Sequence, residues 1–259
     1  MRKLILLFVF VGIAGSIIAQ PYLYTLINEV NELHQQRRKM YSSEKKDSIF
    51  LAFDQKIQEL LYHPDFCGNW WNSLGQPFSK NAADVKGEVL AYSLINDVMI
   101  CSSDDDRMLL VSWDDLGGGS YRSYSNYMLY KNDFGVCQTI KLDSAKEGHE
   151  VGYYQIERVQ QKDRVWYFLF GYGTYGGGRH HRAVKILEQS DTGFQECLGC
   201  YPNGEDLVVF APRLFEIDLQ YDPVNREISY KQFAFDEETG FYSGEYEHIA
   251  LKFSKGKFK

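Results

Sequence analysis

Beyond its first 19 residues the chain lacks any long uncharged apolar run, so nothing in residues 20–259 is written as a membrane span, which needs about 20 such residues. It also lacks a basic cluster interrupted by aromatics. With 28 Lys plus Arg against 35 Asp plus Glu, its net charge of −7 repels phosphate backbones, which argues against nucleic acid as a partner. Cysteine is sparse and odd in number: Cys67, Cys101, Cys137, Cys197 and Cys200. In an oxidising compartment that leaves at least one thiol unpaired. No second Cys or His pair has the spacing of a zinc site, and no nucleotide-binding or cofactor motif is present, so neither a metal nor a cofactor is expected. Ser120 follows Gly118 and Gly119 but has Arg122 where a nucleophile elbow needs glycine.

The amino end is better defined. Arg2 and Lys3 precede an uncharged apolar run that stops before Gln20 and Pro21, which is the charge order of a secretory signal peptide. Cleavage is expected after Ala19, with Gly15 and Ser16 as neighbouring alternatives. An exported, periplasmic or secreted protein is therefore expected, and removal of Arg2 and Lys3 leaves 26 basic against 35 acidic side chains. Cys197 and Cys200 have Cys-x-x-Cys spacing, but Gly199 and Tyr201-Pro202-Asn203-Gly204 read as a turn. A redox site needs a helix start to lower the thiol pKa, so a simple disulfide or buried thiols are expected instead.

Residues 20–64 read as a helical hairpin. Leu23, Leu26, Ile27, Val30 and Leu33 recur at three- and four-residue steps, and Phe50, Phe53, Ile57, Leu60 and Leu61 do so again. His34 and His63 fall near the ends of these segments, where exposed or capping roles are expected. The second helix should stop before Pro64. Residues 65–97 form an irregular connector containing Trp70 and Trp71.

From residue 98 to 259 the pattern changes to β, in three units of about 98–143, 151–201 and 207–259. Each has a polar turn ending in Arg107, Arg164 or Arg226 and a closing Gly135, Gly193 or Gly256, which lie 28, 29 and 30 residues later. Two residues after each arginine stand Leu109, Trp166 and Ile228; four after stand Val111, Phe168 and Tyr230. Seven before each glycine stand Met128, Ile186 and Ile249. A strand pair with one apolar face buries it by repetition beside itself. The expected fold is mainly β: three antiparallel, propeller-blade-like meander units forming a sandwich or barrel, after an α-helical pair. Val165–Phe170 is apolar throughout, as in a central strand. Phe215, Ile217, Leu219 and Tyr221 alternate with polar residues, as in a half-buried one.

Two glycine triplets mark the candidate site. Gly176-Gly177-Gly178 places Tyr175, Arg179, His180 and His181 beside a pliant turn, and Gly117-Gly118-Gly119 is flanked by Asp114, Asp115, Tyr121 and Arg122. Equivalent loops of a repeat leave the same sheet edge, so these eight residues are expected to converge as an exposed ligand-binding surface. The competing reading is that the glycines only permit positive φ. Asp104-Asp105-Asp106 is a lone acidic turn, and the other two units have no equivalent, so a repeated calcium site is not expected. Two functional classes fit: a non-catalytic binding module for a glycan or protein partner, or a hydrolase pairing a loop histidine with an aspartate. The first requires no motif that is missing and leads.

Overall fold

A computed structural model describes residues 22–23, 25–39, 46–64, 66, 98–116, 120–132, 134–142, 149–190, 193–202, 204 and 206–259. The Trp70-Trp71 connector, Cys67, Gly117-Gly118-Gly119 and the segment expected to be a signal peptide, residues 1–19, lie outside these. The protein is mainly β, with three antiparallel sheets preceded by a pair of helices, and no closed barrel forms. It divides into two compact units, the first holding the helices and Leu129–Thr139, the second Val98–Met128 and Ile140–Lys259.

In the first unit, helix α1 is described over 22–23 and 25–39, and α2 covers Lys46–Leu61. The α1 stripe of Leu23, Leu26, Ile27 and Val30 is buried and continues through His34 and Arg37. On α2, Phe53, Ile57, Leu60 and Leu61 are fully buried, as the helical period predicts. His34 is thus a core residue against Phe53, contrary to the exposed or capping role expected from its position. The stripe at steps of three and four reaches position 34 rather than Leu33, which is only half-buried. Arg37 is buried with its guanidinium 4.2 Å from the Phe53 ring centroid and 4.5 Å from that of Phe50. Cation–π attraction and a long apolar stem make that burial tolerable.

Three sheets repeat one order. The first contains β1 (Val98–Ser102), β2 (Met108–Asp114), β3 (Tyr124–Lys131) and β4 (Cys137–Lys141), in sequence order. The second contains β5 (Gly152–Gln161), β6 (Arg164–Tyr175), β7 (Arg179–Ser190) and β8 (Gly193–Glu196), with β9 (Leu207–Pro212) added along β7. The third contains β10 (Gln220–Asp222), β11 (Glu227–Asp236), β12 (Phe241–Ser254) and β13 (Lys257–Phe258). Arg107, Arg164 and Arg226 each stand at the first hairpin of a sheet; Gly135 and Gly256 lie between its third and fourth strands, and Gly193 opens the fourth.

The repeat has one internal slip. Phe168 lies opposite Ile186, and Tyr230 opposite Ile249, so the two apolar columns share a face in the second and third sheets. In the first sheet the Ser112 hydroxyl bonds the Asn126 carboxamide (2.6 Å) while Trp113 stacks on Tyr127. Antiparallel alternation then puts Met128 on the face of Leu110 and Ser112 rather than on that of Val111. The hairpin loop lengths differ as well: Gln161 pairs with Arg164 across two residues, whereas Asp222 pairs with Glu227 across four.

Within the second unit the β5–β8 sheet is the middle layer. On one face Trp166, Phe168 and Phe170 join Ile228, Tyr230, Phe253 and Phe258 in the main core, closed by Cys200 and Tyr201. On the other, polar ties reach the first sheet. Tyr167 Oη donates to Asp105 (2.6 Å), which also meets Arg158 (2.9 Å) and the Ser103 hydroxyl (2.6 Å). The Asp104-Asp105-Asp106 turn therefore spends its central carboxylate on a structural network. Asn126 Nδ2 donates to Val151 O and Tyr153 N to Ser112 Oγ, so the Ser112 and Asn126 side chains both have partners in that seam.

The alternating segment at Phe215–Asp222 is extended only from Gln220. Asp218 adopts φ 55°, which breaks the pleat, and Lys231 N instead reaches Ile217 O at 2.7 Å. Cys197 and Cys200 form a disulfide around a single 3-10 turn, and Cys137 is also disulfide-bonded. Cys101 is a free thiol, pushed up to about 12 by burial.

Candidate functional site

The β6–β7 connection is a three-residue loop, Gly176–Gly178, because Tyr175 and Arg179 still pair across it. Gly177 and Gly178 hold φ 74° and 76°, values that glycine adopts without the Cβ penalty. The glycine triplet thus has the conformational role that the simpler reading assigns to it. The end of the β2–β3 loop lies alongside. Arg122 N donates to Thr174 O (3.4 Å), and the Tyr121 and Tyr175 rings meet edge to face at 6.1 Å. A third segment joins through Arg213, whose backbone N–H donates to Gly178 O (2.9 Å) and whose guanidinium donates to Ser120 O (2.7 Å).

The exposed part of this constellation is aromatic and cationic. The Arg179 guanidinium sits 4.8 Å from the Tyr175 ring centroid, and Phe210 meets that ring from another side at 6.2 Å. Arg122 pairs with Asp114 at 2.7 Å with half its side chain in solvent. Asp114 also accepts Leu116 N, which fixes the turn, while Asp115 contributes its backbone N–H to Ser123 O. Tyr121, Arg122, Tyr175 and Arg179 are therefore brought together, with Asp114 as their counter-charge and Asp115 at the base of the loop.

His180 and His181 are not exposed loop residues. Both belong to β7, whose ladder to β9 runs His180 against Ala211 and His181 against Phe210. His180 is 8% exposed and His181 is fully buried. Strand extension explains this: the loop ends at Gly178, two residues earlier than a flexible reading of the segment implies. His180 Nε2 lies 2.8 Å from Phe215 O and His181 Nε2 3.0 Å from Glu150 O, so both rings bond backbone carbonyls rather than carboxylates. Burial lowers the pKa of both, and that of His181 falls to about 4. A neutral imidazole donating to a carbonyl fits that surrounding. The reach of His181 depends on Gly173, where a Cβ would stand 2.4 Å from the ring and 2.2 Å from Glu150 O.

Sequence reasoning missed Arg213 and Phe210. Neither is near a glycine triplet, and only the β7–β9 pairing, formed across some 30 residues, carries them to the loop. Among the described residues, no group of three or more His, Cys, Asp or Glu is placed to hold a metal ion, and no helix is long and apolar enough to cross a membrane. No family model matches this chain, and no curated protein or solved structure matches it significantly.

Proposed function

We propose that this is an exported, non-catalytic binding protein that recognises a polar partner, a glycan or a protein segment, through the shelf of Tyr121, Arg122, Tyr175 and Arg179. The observation that carries the reading is the meeting of the Tyr121 and Tyr175 rings at one end of a rigid sheet, with the Arg179 guanidinium over Tyr175 and the Arg122–Asp114 pair on the adjoining loop. Rigid amphipathic rings and planar cations supply contact area at low entropic cost, and strands behind them hold the geometry. The Asp114–Arg122 pair satisfies itself in the unliganded protein, so a polar ligand exchanges one set of charged contacts for another. A hydrolase would need an imidazole within hydrogen-bond reach of a carboxylate, and the two candidate histidines bond backbone oxygens instead.

Glycan and protein-segment arrays probed with the labelled chain test this. Binding should be retained by a conservative Arg179→Lys variant more than by Arg179→Ala, and Tyr121→Ala should weaken it about tenfold, the scale of a central aromatic contact. Binding that survives Tyr121→Ala and Arg179→Ala together would place the site elsewhere.

A further inference from the structure

A chemically different surface lies at the end of β6 opposite the β6–β7 loop. A depression of about 340 Å³ opens beside the β5–β6, β10–β11 and β12–β13 turns, lined by Gln161, Asn225, Arg226, Lys252, Ser254 and Lys255 among others. Three of these are cations and none is an acid. Among the described residues, none of the three cations makes an ion pair. Glu227 stands directly across the ladder from Lys252 without pairing to it. Arg164, close by against Gly256, is by contrast neutralised by a two-pronged contact with Glu188. On a chain with a net charge of −7, such a gathering is not a by-product of a generally basic surface.

The backbone adds an independent observation. Arg226 and Lys255 both hold φ 54°, a conformation that favours glycine and asparagine over long side chains. The β12–β13 connection is a two-residue turn, Lys255-Gly256, whose first position ordinarily takes Asn, Asp or Gly. At each of these turns a basic residue occupies a place where a smaller one would be more stable, and both line the same depression. Of the six non-glycine residues with positive φ among the described residues, these two line the depression, and backbone strain at such a place is a pointer to function. The walls are fixed: Phe253 N donates to Arg226 O (2.8 Å), Lys252 N to Lys259 O (3.0 Å), and the Gln161 carboxamide reaches Phe253 O (3.4 Å). The cations are thus mounted on a sheet end rather than on a mobile loop.

We infer that this cleft binds a small polyanion, a molecule carrying two or more phosphate or carboxylate groups, between Arg226, Lys252 and Lys255. The volume is at the lower end of small-molecule sites. A guanidinium grips two oxygens of one group while the two ammonium groups act as point charges on the other. Ser254 supplies a neutral polar contact at the rim, where the Asn225 side-chain amide nitrogen is held by Asp222.

Calorimetric titration of the full chain with pyrophosphate and with citrate tests the inference, the two probes separating phosphate from carboxylate chemistry. At least one should bind, with affinity falling as salt rises. Arg226→Asn and Lys255→Asn should each weaken binding about tenfold or more, the scale of a charge-assisted contact. Because asparagine suits positive φ, both variants should melt at or above the wild-type temperature, so lost binding cannot be attributed to unfolding. Lys141→Gln, which removes one charge on β4 outside the cleft, should bind as wild type does. The inference is overturned if neither probe binds at millimolar concentration, if the two asparagine variants bind unchanged, or if Lys141→Gln weakens binding equally.

Discussion

The β5–β8 and β10–β13 sheets share a strand order and meet across one core, yet their other faces differ. Behind β6, Tyr167 and Leu169 are as buried as Trp166 and Phe168 in front. Behind β11 and β12, the residues that alternate with the core are Ser229, Lys231, His248 and Ala250, half-buried or exposed. A middle layer is apolar on both sides and an outer layer on one. The contrast is written in the chain, as the unbroken Val165–Phe170 run and as the alternation of β11.

That contrast sets the sizes of mutational effects. Phe168 is fully buried among Phe253, Phe258 and Tyr221, and Phe168→Ala should cost about 3–5 kcal/mol in denaturant unfolding. A loss below about 1 kcal/mol would mean the two sheets do not share a core. The next effect is on pH dependence. His181 is lowered to about 4 in the folded protein, against an ordinary value near 6.5, because burial disfavours its charged form. The unfolded chain takes up the proton first as pH falls. His181 therefore contributes no pH-dependent loss above about pH 6.5, and stability declines from there towards pH 4, by about 3 kcal/mol in total. A His181→Gln variant should lack that component, so the difference between the two curves across this window is the measurement. If the curves run parallel, the imidazole is not desolvated.

Smaller again is Gly173→Ala on the middle sheet, where the added Cβ would collide with Glu150 O and the His181 ring. Overpacking of that kind costs about 1–3 kcal/mol. Its outer-sheet counterpart, His248→Ala, removes an exposed side chain and should change stability by less than about 0.5 kcal/mol. Equal losses at the two positions would erase the distinction between middle and outer layers.

The helical pair, the three meanders and their anchoring arginines and glycines were legible because each rests on a local period or turn. What escaped was set by pairing between distant segments. The one-residue slip of the first unit depends on Ser112 finding Asn126, and the arrival of Arg213 and Phe210 depends on β9 lying along β7. For the candidate site, the convergence of the two loops followed from the repeat, since equivalent connections leave one edge. The burial of His180 and His181 did not, because a Gly-rich stretch does not announce that its strand restarts one residue later. The basic cleft was also out of reach: Arg226, Lys252 and Lys255 meet only once β11, β12 and β13 are paired.

Two sets of side chains around the β6–β7 loop, three at the surface and two buried, allow the most direct test of where function lies. A surface variant, Tyr121→Ala with Arg122→Ala and Arg179→Ala, and a buried variant, His180→Ala with His181→Ala, should be compared with wild type by thermal melting and by binding to the same array. The surface variant should keep its Tm and lose binding, and the buried variant should lose several degrees of Tm. A buried variant that melts like wild type but no longer binds, beside a surface variant that binds normally, would contradict the account and return the site to the histidines.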